Sequence, residues 1–223
     1  MIELINISKK FGNMQILKNF NMTIHENKIT CLFGPSGIGK TTVANIVSNI
    51  LYVDEGLIKG IENSLFSYVF QEPRLLEWYS VYDNIDFVLK DVYDIKTRPK
   101  IINSYLDMVE LSDYKNLKPK ELSGGMAQRV SLARAFAYPS NILIMDEPFK
   151  GLDNKLKNEM ISSFLKLWSE GKRTVLFITH DIDEAILLSD TIYILNNRPA
   201  EIIKKIEKDN YNTQDIKEML LNY

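Results

Sequence analysis

Apolar positions along this chain change their period several times, and the changes mark out its elements. "MIELINISKKFG" and "NFNMTIHENK" read as short strands with turns at Gly12-Asn13 and Glu26-Asn27. "KITCLFGPSG" is an apolar strand that breaks into a glycine loop. In "KTTVANIVSNIL" the spacing becomes helical, with Val43, Ile46, Val47, Ile50 and Leu51 on one face. "LFSYVFQE" is another short buried strand. Between residues 72 and 121 turn residues are common, and helical patterns recur in "SVYDNIDFVLKDVY" and in "KIINSYLDMVEL", where Ile102, Leu106 and Val109 share a face. The rest of the chain predicts a helix over residues 126–137, the strand "NILIMDEP", a helix around "KLKNEMISSFLKLWSE", the strand "RTVLFITH", a helix "IDEAILLS" and the strand "TIYILNN". Residues 202–223 read as a short polar tail in which "TQDIKEMLLNY" makes one weak helix.

Strands that alternate with helices, several of them nearly all apolar, predict an α/β fold with a mainly parallel sheet covered on both faces. The N-terminal strands form an antiparallel β part. Residues 72–121 form a helical subdomain inserted into the core of a single domain, 1–223.

Composition narrows the function. The 223 residues suffice for one sizeable core. A net charge of −2, with Lys and Arg scattered among Asp and Glu, gives no sign of a nucleic-acid partner. The single cysteine, Cys31, excludes an internal disulfide framework and fits a reducing compartment; inside "ITCLF" it reads as a buried strand residue. No apolar run approaches the ~20 residues that span a bilayer, and the N-terminus lacks a signal-peptide pattern. The expected location is the cytoplasm, with any membrane attachment made through a partner.

The chemistry centres on "GPSGIGKTT". Residues 34–41 fit G-x-x-x-x-G-K-[ST] between a strand and a helix. Gly34, Pro35, Ser36, Gly37, Ile38 and Gly39 form a loop whose amides can turn toward phosphate oxygens, helped by the positive end of the following helix. Lys40 can reach β- and γ-phosphates, and the Thr41 hydroxyl can ligate Mg²⁺. "NILIMDEP" supplies the acidic partner: Asp146 for Mg²⁺, and Glu147, which strand alternation points elsewhere, as the general base for water. His180 ends the strand "LFITH", where the ligand crevice of a parallel sheet lies, and is read as a γ-phosphate contact; His25 reads as a surface residue. Gln71 ends another strand and can meet Mg²⁺ or the attacking water. "LSGGMAQRV" forms a second anion site: Ser123, Gly124 and Gly125 before a helix.

These pieces together resemble the nucleotide-binding subunit of ATP-binding cassette (ABC) transporters, in order over nearly the whole chain. Residues 34–42, which include Thr42, resemble the Walker A motif, Gln71 the Q-loop, residues 122–126 the signature motif, 142–147 Walker B, 151–153 the D-loop and His180 the switch histidine. Phe11 stands where the family stacks an aromatic ring on adenine. The resemblance implies that two copies close head to tail on two ATP molecules, each ATP lying between one copy's Walker A and the other's signature motif, with Asp153 near it. It also implies an integral membrane permease, an indirect link to a solute-binding protein, and a place on the inner face of the cell membrane. "LSGGM", "VFQEPRLLEWYSVYDNI", "MDEPF" and "NNRPAEI" are similar to ATPases of nitrate-, sulfonate- and taurine-type importers and of thiamine-precursor importers. In the family the surface after the Q-loop receives the permease. Leu75, Leu76, Trp78, Tyr79 and Val81 form either that docking surface or a local core.

The chain departs from that branch at Glu77, where Pro is frequent, at Lys150 before the D-loop, and in a shortened segment ahead of Gln71. Two alternatives remain at this stage. One is a soluble ABC ATPase of the cluster-assembly type. The other is a P-loop kinase for a small molecule, which leaves residues 123–125, Gln71 and His180 without a task.

Overall fold

The computed structural model describes residues 1–221. Its elements run β1 Ile2–Phe11, β2 Met14–Ile24, β3 Ile29–Phe33, α1 Lys40–Val47, β4 Glu55–Lys59, β5 Phe66–Phe70, α2 Val81–Leu89, α3 Arg98–Met108, α4 Gly124–Ala137, β6 Ile142–Asp146, α5 Asn154–Glu170, β7 Thr174–Thr179, α6 Ile182–Leu188, β8 Thr191–Asn196, β9 Glu201–Glu207 and α7 Thr213–Leu221. They fall into two compact units. The first holds Met1–Phe66, Asn141–Glu147 and the chain from Arg173 onward; the second holds Ser67–Ser140 and Pro148–Lys172.

In the first unit, β2-β1-β4 form an antiparallel sheet in which β1 pairs with both neighbours through irregular registers. A second sheet runs β6-β7-β3-β8-β9. Its first four strands are parallel, with Cys31 opposite Phe177 on one side and Ile192 on the other. Every residue of β3 and β7 is buried, as their unbroken apolar runs require of strands covered on both faces. Helices α1 and α6 pack on this sheet, and α7 packs on α6.

Two expectations change here. Val43, Ile46 and Val47 are buried on α1, but Ile50 is 64% exposed. The helix stops at Val47 because Asn49 takes a left-handed conformation, φ 58°. Ile50 N then bonds Asn45 O and Asn49 N bonds Ile46 O, the paired bonds of a Schellman cap. The polar stretch after Glu201 is also more than a tail. It forms β9, antiparallel to β8, and only Ile206 of its seven residues is buried. The expected helix over 213–223 is α7, and residues 222 and 223 lie outside the described residues.

In the second unit, α4 is packed by α2, α3 and α5. It is buried on most sides, from Gly125 and Gln128 through Val130, Leu132 and Phe136, and Phe136 meets Phe164 of α5 edge-on at 6.0 Å between ring centres. Ile102 and Leu106 of α3, and Val109 at its C-cap, are fully buried, as their spacing predicts. Ser80 caps α2 in a reciprocal capping box with Asp83. Of the apolar cluster after Gln71, Val81 is buried and Trp78 is 69% exposed, so the cluster divides between core and surface. Trp78, Tyr79 and Phe87 contact one another in sequence, Trp78 with Tyr79 and Tyr79 with Phe87.

Candidate functional site

The glycine loop leaves β3 where the strand ends at the buried Phe33. Gly34 is forced by a close approach: a Cβ there would stand 2.5 Å from the backbone oxygen of Leu195 at the end of β8. Gly39, at φ 118°, is the N-cap of α1 and turns the loop into the helix. Pro35, Ser36 and Gly37 are exposed, and Ile38 is buried. Lys40 is 4% exposed, and its Nζ donates to the carbonyls of Gly34 (2.7 Å) and Pro35 (2.9 Å). The loop's lysine is thus held against the loop itself, inside the turn it would bridge to a phosphate.

The two strand-end carboxylates diverge. Thr41 Oγ1 donates to Asp146 Oδ2 at 2.8 Å, which sets a hydroxyl and a carboxylate side by side. Glu147 leaves β6 at φ 47°, and its backbone N bonds Ile178 O at 3.0 Å. A non-glycine residue in the left-handed region carries a cost on the order of 1 kcal/mol, typical of sites where geometry serves chemistry. That turn sends the Glu147 side chain toward His180, with Oε1 3.4 Å from Nδ1. Ile16, Gly37, Gly39, Lys40, Thr41, Thr42 and Glu147 line one cavity of about 160 Å³.

Two contributors to this site were not foreseen from the sequence. Ile16 of β2 packs where a Gly39 side chain would stand, 2.8 Å from its Cβ position. Arg198, in the β8–β9 connection, donates from Nη2 to Gly37 O at 2.8 Å. Its only sequence signal is its place in "NNRPAEI". Phe11 stands at the β1–β2 turn, paired with Met14 and 51% exposed, with Lys9 Nζ 5.8 Å from its ring centre. It does not line the cavity, whose apolar wall is Ile16. Cys31 is fully buried in β3, as expected, and burial pushes its thiol up to about 12.

The second unit holds the remaining sequence candidates. Ser123 caps α4, its Oγ accepting from Met126 N at 3.3 Å. Gly124 is exposed, and a Cβ on it would meet nothing within 4 Å. Gly125 is buried, and a Cβ on it would stand 2.4 Å from Leu156 Cδ1. Asp153 caps α5 by accepting from Leu156 N at 3.0 Å. Gln71 follows β5 and is exposed. The backbone just before it is held by Gln128, a residue with no sequence signal of its own: it is buried on α4, and its Nε2 donates to Phe70 O (3.2 Å) and Pro148 O (2.8 Å). Arg134 of α4 holds the segment beyond Gln71, donating to Pro73 O (2.9 Å) and Arg74 O (3.0 Å); burial lowers its pKa from the ordinary arginine value.

A parallel α/β sheet, a glycine loop opening a helix, and a hydroxyl–carboxylate pair at the end of β6 define a P-loop nucleotide site. The comparisons with known proteins agree. The profile of the ABC transporter family matches residues 17–150. The aliphatic sulfonates import ATP-binding protein SsuB of Bacillus thuringiensis subsp. konkukian is 39% identical over 210 residues, 91% of this chain and 82% of that protein. The bicarbonate transport ATP-binding protein CmpD of a Synechocystis species is 37% identical, over 90% of this chain and 76% of its own. Among solved structures, the dimeric post-hydrolysis state of the ATP-binding cassette MJ0796 bound to ADP and Pi superposes with a TM-score of 0.80 at 30% identity, covering 93% of this chain and 99% of that one. The chain belongs to the ABC transporter family, as an ATP-binding cassette that hydrolyses ATP in coupling to transport.

Proposed function

We propose that the chain is the ATPase subunit of an importer for a small solute, working as an ATP-dependent head-to-tail dimer against a separate integral membrane permease on the cytoplasmic side of the membrane. The observation that carries the dimer is the bare start of α4. Ser123 and Gly124 are exposed, and among the described residues nothing stands within 4 Å of where a Gly124 Cβ would be. That space is left for a group from outside, and a phosphate at a helix N-terminus fits it. The cavity lined by the glycine loop has the size of a phosphate tail, well below the roughly 300 Å³ at which sites for whole small molecules begin. Phe11 then stacks adenine, and the signature residues Ser123, Gly124 and Gly125, with Asp153, complete the site from the second copy.

Lys40 neutralises β- and γ-phosphate charge, and Thr42 donates beside it. Thr41 and Asp146 are hard oxygen donors 2.8 Å apart, a pair suited to Mg²⁺. Among the described residues no cluster of three or more His, Cys, Asp or Glu is arranged to hold a metal. Thr41 and Asp146 would hold the ion, and the family resemblance assigns Gln71 to it as well. Bound there, Mg²⁺ supplies Lewis-acid neutralisation of phosphate charge. Glu147 accepts the proton of the attacking water, and His180, beside it, holds the γ-phosphate.

Import is supported by SsuB, a relative named as an import ATP-binding protein. Among the described residues no helix is long and apolar enough to cross a membrane; the family resemblance assigns the solute pathway to a separate permease. The cargo class the relatives favour is a small anion such as a sulfonate or bicarbonate; nitrate-, taurine- and thiamine-precursor-type cargo belong to the same branch by resemblance. Exposed Trp78 and half-buried Tyr79 offer an aromatic surface for the permease.

The test is Glu147→Gln. The variant should retain ATP and double its mass on size exclusion with light scattering when ATP is added, with turnover abolished. A variant that neither keeps ATP nor dimerises overturns the composite site. Co-purification of a polytopic membrane protein from native membranes supports the importer; a soluble scaffold in its place overturns it.

A further inference from the structure

His180 follows β7 with an exposed ring whose Nδ1 lies 3.4 Å from Glu147 Oε1, and the backbone on either side of it also sets its position. Both sides are tied to one residue, Glu184 of α6. Before His180, the buried Thr179 Oγ1 donates to Glu184 Oε2 at 2.6 Å. The same hydroxyl accepts from Asp181 N at 3.0 Å, which bends the chain around His180. After His180, Asp181 caps α6, and its Oδ1 accepts from Glu184 N at 3.0 Å. The histidine therefore sits at the tip of a loop closed twice, by the side chain and by the backbone of Glu184.

Glu184 is only 5% exposed. Its helix, α6, packs against β3 and β7 of the parallel sheet. A buried carboxylate costs far more than a leucine of similar size. Packing alone does not account for it there; a strong acceptor for the Thr179 hydroxyl does.

We propose that Glu184 is a positioning residue that sets the place of His180 through the Thr179 hydroxyl. The proposal rests on the reading of His180 as the γ-phosphate contact. In a reaction governed by placement, a shift on the order of 1 Å at such a contact costs about 100-fold in rate.

The experiment compares Glu184→Leu, which removes the acceptor, with Glu184→Gln, whose amide oxygen keeps it, and Thr179→Val with Thr179→Ser in the same way. Glu184→Leu and Thr179→Val should lower ATP turnover about tenfold or more at unchanged ATP affinity. The Gln and Ser variants should restore most of it. In a His180→Ala background, Glu184→Leu should cost nothing further. A second readout needs no nucleotide. The chain has two histidines, so two imidazole Cε1–Hε1 cross-peaks are expected in its NMR spectrum. Glu184→Leu should move the His180 peak and leave that of His25 in place.

Losses that multiply with His180→Ala, a fall in ATP affinity equal to the fall in turnover, or an unmoved His180 peak overturn the proposal. If Glu184→Leu does not fold, Thr179→Val carries every arm. Wild-type turnover in His180→Ala overturns the reading of His180 beneath the proposal, and the NMR arm then decides whether Glu184 sets the ring's place.

Discussion

Gly124 and Gly125 stand side by side at the start of α4 and answer to different constraints. Gly125 is demanded from inside, because a Cβ there would run into Leu156 of α5. Gly124 is demanded by nothing among the described residues. Leu156 is only half-buried and can give, so Gly125→Ala should lower stability by up to about 1 kcal/mol, the low end of overpacking costs, with a small fall in melting temperature. Gly124→Ala should leave the melting temperature unchanged or slightly raised, since alanine favours the first helical turn. Its ATP-dependent dimerisation and turnover should nonetheless fall, because the added methyl stands where the second copy's phosphate would approach. Thermal melts beside light scattering with ATP check both. A Gly124→Ala variant that dimerises and turns over normally would leave the bare helix start without its assigned partner. The motif reading lumps the two glycines together, and only their neighbours separate them. Arg198 and Glu184 escaped the sequence reading for the same reason: each acts through a partner distant in sequence or hidden in burial, Gly37 for one and Thr179 for the other.

At the scale of elements, α4 does more than present residues 123–125. It is the core helix of the second unit, and buried Gln128 gives it two backbone acceptors, Phe70 O just before Gln71 and Pro148 O just after Glu147. Gln128→Leu withdraws the donor from both carbonyls, and each buried group left without one costs about 1–3 kcal/mol. The expected outcome is a lower melting temperature and faster amide exchange in the segments around Phe70 and Pro148, with turnover falling as well. Normal exchange in both segments would show that the tether is dispensable. The strands divide by how far local pattern suffices. β3, β6 and β7 were legible because strands buried on both faces need unbroken apolar runs. β4 and β9 were not. "EGLIK" has no buried residue and "EIIKKIE" has one, so their pairing with β1 and β8 leaves neither an unbroken apolar run nor a clean alternation in the sequence. Both stand at the edge of their sheets, where charged residues are the rule. The end of α1 was misread because a left-handed Asn49 stops the helix while the apolar spacing runs on to Ile50.

At the scale of the whole molecule, the single cysteine is a built-in reporter. Cys31 lies between β7 and β8 partners in the parallel sheet, fully buried, with its thiol held protonated up to about 12. A thiol reagent can reach it only through opening of that sheet, so labelling at neutral pH should run at least about a thousandfold slower than in the urea-unfolded chain, in line with ordinary stabilities of 5–15 kcal/mol. ATP that binds the folded state should slow labelling further, in Glu147→Gln, by a factor that grows as one plus the ratio of ATP to its dissociation constant. The raised thiol also fixes the sign of an alkaline effect. The folded chain keeps its proton where the unfolded thiol, near 9.0, has lost it. The stability this contributes is fully present below that value and is lost as pH rises toward about 12. Melting temperature should therefore fall more steeply above pH 9 in the natural chain than in Cys31→Ala, a difference from which the titration of lysines and tyrosines common to both cancels. Equal slopes, or rapid labelling of the folded chain, would mean that the centre of the parallel sheet opens without global unfolding and that the loop carried on β3 is less rigid than its buried surroundings require.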